Sequence, residues 1–212
     1  MDNDTEDSSR LGSAISSVRK SIAQLRQYAS ISRVEEISRR YFVINAYDGA
    51  MTMLGIVIGF HVAGNVDPRL VVGAGLGGSL AMGVSGFTGA YLSERAERQM
   101  RLKDIERHLF TNLENSVLES ASNFAAVWVA LVDGAAPAIT AFVSLSPFIL
   151  ALQGLISVPL AVLSAVALSI LSLFVLGAYL GRVSKENILL YGLQTSLAGG
   201  ATAGLLLLIG GF

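Results

Sequence analysis

Long apolar runs separated by short charged segments set the pattern of this chain. About 20 consecutive apolar residues are needed to cross a bilayer. Five runs reach that length: Tyr41–Ala63, Leu70–Tyr91, Ala121–Val143, Val158–Leu180 and Ile188–Leu208. Asn45 and Asp48 interrupt the first, the second is rich in glycine, and Asp133 falls near the middle of the third. The stretch Ser144–Ser157 is apolar as well, but Pro147 and Gly154 break it and Pro159 follows. It reads as a re-entrant or surface turn, or as an extension of the third run. Residues 1–40 hold no apolar core, so no cleavable signal peptide is expected. The pattern predicts an all-α integral membrane protein with five transmembrane helices.

The polar segments complete the plan. Residues 1–38 form an N-terminal segment in which Leu11, Ile15, Val18, Ile22, Leu25 and Ala29 recur at helical spacing. Such a stripe suits a helix on a membrane surface, a helix pairing across a dimer, or one packed on its own protein. Residues 39–92 hold the first two spans, residues 93–120 a polar helical insertion, and residues 121–212 the last three spans. The first half of the insertion is rich in helix formers and is expected to continue the second span. A second short helix is expected to return the chain to the third.

Charge then gives an orientation. Seven basic residues precede the first span (Arg10, Arg19, Lys20, Arg26, Arg33, Arg39, Arg40), five lie in the insertion (Arg95, Arg98, Arg101, Lys103, Arg107) and two follow the fourth span (Arg182, Lys185). The opposite side has Arg69 alone. The positive-inside rule therefore predicts a cytoplasmic N-terminus and an extracytoplasmic or lumenal C-terminus. Only 15% of the 212 residues are charged, against about 25% in an ordinary soluble domain, and the net charge is −1. Those figures argue against a soluble enzyme, a disordered tail protein and a nucleic-acid binder. The absence of cysteine excludes disulfides, thiolate-bound zinc, iron–sulfur clusters and cysteine nucleophiles.

A faint internal repeat marks the residues of chemical interest. Asp48-Gly49-Ala50 recurs as Asp133-Gly134-Ala135, and Gly89-Ala90-Tyr91-Leu92 recurs as Gly177-Ala178-Tyr179-Leu180. Each pair brackets two spans, the plan of a parallel two-hairpin repeat. An acid inside a span costs roughly 2.5–3.5 kcal/mol on insertion scales, so Asp48 and Asp133 are candidate ion or proton sites facing one pathway at different depths. The alternative is a protonated carboxyl bonded to nearby backbone or to Asn45. Met51, Met53 and Met82 offer neutral thioethers near Asp48, a combination suited to Fe²⁺ or Mn²⁺, although methionine also fills gaps between helices. Glu94 and Glu97, at i and i+3 on one helical face, together with Glu106, are candidate cation ligands, but the interleaved arginines equally suit surface ion pairs. Gly55/Gly59 and Gly73/Gly77, four residues apart, predict close helix packing and a possible dimer.

Tyr47-Asp48-Gly49-Ala50-Met51-Thr52, then Gly89-Ala90-Tyr91-Leu92-Ser93-Glu94-Arg95-Ala96-Glu97, then Gly134-Ala135-Ala136-Pro137, and Leu173-Phe174-Val175-Leu176-Gly177 before Gly181-Arg182, resemble the vacuolar iron transporter family. The resemblance covers residues 39–212 and implies a homodimer of five-span subunits. It also implies export of Fe²⁺ or Mn²⁺ from the cytoplasm in exchange for protons, with no tightly bound cofactor. In that family's pattern Asp48 matches the first-span metal-binding acid, and Glu94 and Glu97 fall where its cytoplasmic glutamate-rich helices begin. Ala90 stands where the family has glutamate and Gly86 where it has methionine; Met82, one turn earlier, is a substitute. Asp133 is an addition to the family's ligands. Two rival readings are an intramembrane aspartyl protease built on Asp48 and Asp133, and a non-transporting membrane scaffold or sensor.

Overall fold

A computed structural model describes residues 34–114 and 116–210, together with 23, 27–30 and 32. Most of the N-terminal stripe, Leu11 to Leu25, lies outside the described residues. The rest is helical, with no strand among the described residues. We number the helices α1 (Val34–Val62), α2 (Pro68–Leu109), α3 (Val117–Leu152), α4 (Val158–Ser184) and α5 (Ile188–Gly210). All five are long and apolar enough to cross a membrane. The chain is an all-α integral membrane protein.

Local chemistry fixes the helix ends. Pro68 opens α2, and Asp67 accepts a bond from the Arg69 amide at 2.8 Å. Ser116 accepts from the Glu119 amide at 3.1 Å, a capping arrangement that starts α3 at Val117. The return to the third span is therefore made by the first turns of α3 itself rather than by a separate short helix. Asn187 accepts from the amides of Leu189 and Leu190 at the start of α5. Lys185, left-handed at φ 59°, ends α4.

The apolar stretch after residue 143 extends the third span rather than turning back. Pro137 and Pro147 both lie inside α3, which runs to Leu152 before a turn through Gly154 at φ 73°. A proline withholds the N–H that the carbonyl four residues earlier would accept. At Pro147 the loss is repaired locally, because the Ser146 hydroxyl donates to the Val143 carbonyl at 2.7 Å. Such repairs are how transmembrane helices tolerate proline.

Two compact units divide the chain: residues 1–37 with 91–129, and residues 38–90 with 130–212. In the larger unit, Met53, Val57, Val71, Ala141, Leu145, Phe148, Ala161 and Ala165 form a sealed cluster drawn from α1 to α4. Between α3 and α4, the buried Ser144 and Ser169 hydroxyls bond at 2.9 Å. Between α4 and α5, Thr195 donates to the Leu173 carbonyl at 2.8 Å.

Glycine sets the tightest crossings here. A Cβ on Gly83 of α2 would stand 2.8 Å from the Gly134 carbonyl oxygen of α3, and a Cβ on Gly134 would stand 2.7 Å from the Gly83 carbonyl oxygen. The two backbones touch, with no side chain between them. Gly49 of α1 meets the Pro137 backbone in the same way, at 2.7 Å. Both Asp-Gly pairs thus place their glycine at a helix crossing. The Gly-Ala-Tyr-Leu pair is less alike: Gly177 lies against the Tyr191 carbonyl of α5, whereas Gly89 has nothing near it.

These contacts make a stability prediction. Gly83→Ala or Gly134→Ala drives a methyl group into backbone and should cost about 1–3 kcal/mol. Gly200→Ala, which has nothing within 4 Å of the new methyl, should be neutral or slightly stabilising. Thermal unfolding of the detergent-solubilised chain reads the difference; equal melting temperatures for all three variants would contradict the crossing.

Candidate functional site

In the larger unit, the two intramembrane acids occupy opposite environments. Asp48 is exposed on the subunit although it lies in the apolar part of α1. Asp133 on α3 is only 3% exposed. The Asn45 side-chain amide, on α1 one turn before Asp48, donates to Asp133 Oδ1.

α2 completes this cluster with an empty position rather than a side chain. A Cβ on Gly86 would lie 3.0 Å from Asp133 Oδ2, 3.5 Å from the Asp133 carbonyl oxygen and 3.6 Å from Asn45 Oδ1. The Asp133 carboxyl thus fills space that any larger residue at position 86 would need. Met82 is half-buried one helical turn earlier, on the same stripe of α2 as Gly86. Sequence reasoning singled out Asp133 and named Asn45 as the alternative partner of an intramembrane carboxyl, but missed Gly86 as its seat.

The thioethers do not gather as one set. Met51 is half-buried three residues after Asp48, on the same side of α1. Met53 faces elsewhere: it is fully buried in the core, and its methyl group would lie 2.7 Å from a Cβ on Gly75.

In the smaller unit, the three candidate glutamates have protein partners. Glu94, 5% exposed, pairs with Arg98 at 3.1 Å, and Glu97 pairs with Arg101. Glu106 accepts from the Leu113 amide at 2.9 Å and so holds the turn after α2. Among the described residues, no group of three or more His, Asp or Glu side chains forms a ready metal cage.

Comparison with known proteins decides the affiliation. The VIT family model matches residues 39–123, which include Asp48, Gly86 and all three glutamates. An uncharacterized protein of Methanocaldococcus jannaschii is 30% identical over 162 residues, covering 75% of this chain and 81% of the relative. The chain belongs to the VIT family. Membership supports membrane metal-ion transport as the general activity of this VIT protein.

The Asn45–Asp133 pair yields a second prediction. Asn45→Leu leaves a buried carboxyl without its donor and should cost roughly 1–3 kcal/mol. The double variant Asn45→Leu/Asp133→Leu removes both partners and should recover most of that loss. A double-mutant cycle by thermal unfolding tests it; strictly additive effects would show that the bond carries no energy.

Proposed function

We propose that this VIT protein carries Fe²⁺ or Mn²⁺ out of the cytoplasm in exchange for protons. In this reading it works as a homodimer with the N-terminus cytoplasmic and the C-terminus outside or lumenal. The observation that carries the proposal is Asp48, a carboxylate exposed on the subunit within an apolar span. Facing hydrocarbon it would cost roughly 2.5–3.5 kcal/mol, and a polar pathway or a second subunit removes that cost. A passing divalent cation has use for it.

The cycle begins with a cation drawn to the cytoplasmic helix end by Glu94, Glu97 and Glu106. Arg98 and Arg101 hold the first two acids, so loading there requires the arginines to swing aside. The ion then reaches Asp48, with the Met51 and Met82 thioethers as softer donors. Met53, sealed in the core, shapes the helix packing instead. A proton from the far side neutralises Asp48 and releases the cation, with Asp133 as the second proton or ion site. α2 supports the dimer: Leu76, Leu80 and Val84 are exposed along it, and Gly73 and Gly77 leave room for a close neighbour.

Asp48→Asn in proteoliposomes should reduce Fe²⁺ and Mn²⁺ flux to background, with Co²⁺ and Zn²⁺ as comparison ions and a pH gradient as the drive. Unchanged flux would remove Asp48 from the pathway, and flux indifferent to the gradient would remove proton exchange. The chain has no cysteine, so a single Leu80→Cys substitution reports on the dimer. Oxidation should cross-link Leu80→Cys across the interface but not Leu163→Cys on α4, which is 67% exposed.

A further inference from the structure

A cavity of about 500 Å³ opens between α1, α3 and α4 in the larger unit, and the transport cycle makes no use of it. Ligand pockets run from roughly 300 to 1,000 Å³. Much of its wall is apolar, formed by Phe42, Val132, Val175 and Leu176. Val175 is 57% exposed, so the mouth faces out of the subunit. Ser38, Arg39 and Tyr179 line the rest. These three fall at the edge of the apolar runs, since Tyr41 begins the first run and Leu180 ends the fourth. The cavity therefore straddles the level at which hydrocarbon gives way to headgroups.

Two polar groups in the lining lack partners among the described residues. Arg39 is exposed, and no carboxylate lies within ion-pairing distance of its guanidinium. Even Glu35, four residues earlier on α1, does not pair with it. None of the lining residues is acidic. Ser38 is 6% exposed, and its hydroxyl has no hydrogen-bond partner. Ser146 and Ser184, by contrast, donate to carbonyls of their own helices. A buried hydroxyl without an acceptor is costly, and rotation about its Cα–Cβ bond lets it meet one that enters the cavity.

We infer that this cavity binds an anionic phospholipid. Its phosphate sits on the Arg39 guanidinium and the Ser38 hydroxyl, and an acyl chain runs along Phe42, Val132, Val175 and Leu176. A guanidinium matches a phosphate in shape as well as charge. The unopposed cation favours a lipid of net negative charge, because the cationic group of a zwitterionic headgroup would find no carboxylate in the lining. Basic pockets between transmembrane helices recur as sites for anionic headgroups. A free phosphate ion would leave the apolar wall unfilled. Arg40, the next residue, lies over the Tyr41 ring at 5.6 Å and is no part of the lining.

The test uses the full chain purified in detergent and titrated with dioleoyl phosphatidylglycerol or dioleoyl phosphatidylcholine. Thermal unfolding and native mass spectrometry are the readouts. Phosphatidylglycerol should raise the melting temperature saturably and stay bound in the mass spectrum. Phosphatidylcholine should require a concentration roughly tenfold higher, the worth of one charge-assisted contact. Arg39→Gln should abolish that preference, whereas Arg40→Gln should keep it. Ser38→Ala should weaken phosphatidylglycerol about fivefold, the loss of one hydrogen bond. Val175→Trp fills the apolar wall from its exposed side and should weaken both lipids. Equal responses to the two lipids would overturn the site, as would equal losses in Arg39→Gln and Arg40→Gln. Wild-type binding by Val175→Trp would remove the acyl chain from the cavity. A saturable rise with sodium phosphate or glycerol phosphate alone would make the ligand a free anion and overturn the lipid. No flux is measured, so the outcome leaves the role of Asp48 to its own test.

Discussion

A carboxyl group enclosed among membrane helices must find a donor, and here one does so across a helix boundary. The Asn45–Asp133 bond is the interaction on which the arrangement of α1, α2 and α3 around the site depends. It forms only because the helices approach more closely than ordinary side chains permit. Gly49 brings α1 onto Pro137, and Gly134 brings α3 onto Gly83. Each crossing lies beside an aspartate, so the residues that close the helices together also decide where the acids point. Hydrocarbon offers no general hydrophobic drive for helix association, so van der Waals contact and hydrogen bonds of this kind carry the packing.

The fold was largely legible in the sequence because the bilayer imposes a simple length rule. All five apolar runs became helices, the first ending one residue short of Ala63. What hydropathy did not resolve was the end of the third span. Pro147 and Gly154 read as breakers, yet only Gly154 breaks the helix. The reason is local: Ser146 repairs the proline defect, whereas nothing keeps Gly154 from a left-handed turn. The return from the insertion was misplaced for a similar reason. Ser116 and Glu119 form a cap that starts α3 directly, a detail of spacing rather than of composition.

The candidate site was legible in part. Asp48 and Asp133 carry the same signal, an acid before glycine in an apolar run, and only the family resemblance separated them, matching Asp48 to the metal-binding acid and Asp133 to none. Rotation about the helix axis separates them: Asp133 turns inward to Asn45, while Asp48 faces out of the subunit. Met51 and Met53 differ in the same way, since two residues along a helix is more than half a turn. In the other unit the interleaved arginines left Glu94 and Glu97 open between metal binding and ion pairing, and the structure contains the ion pairs. Such pairing at i, i+4 is worth little at the exposed Glu97 and more at the buried Glu94, where an unpaired charge would be costly.

The two Asp-Gly-Ala segments differ in the surroundings of their acids. In both, a glycine after the aspartate marks a crossing. Only the second half has a proline four residues after its acid; the first has Thr52 at that position. Thr52 keeps a backbone N–H for the Asp48 carbonyl, so Asp48 can offer only its side chain. Asp133 offers both side chain and backbone. The first acid therefore stands as a single exposed carboxylate. The second is a buried carboxyl held by an amide. A duplicated acid that had kept one environment would appear twice in the same surroundings; the proline and the asparagine make the two acids chemically unequal.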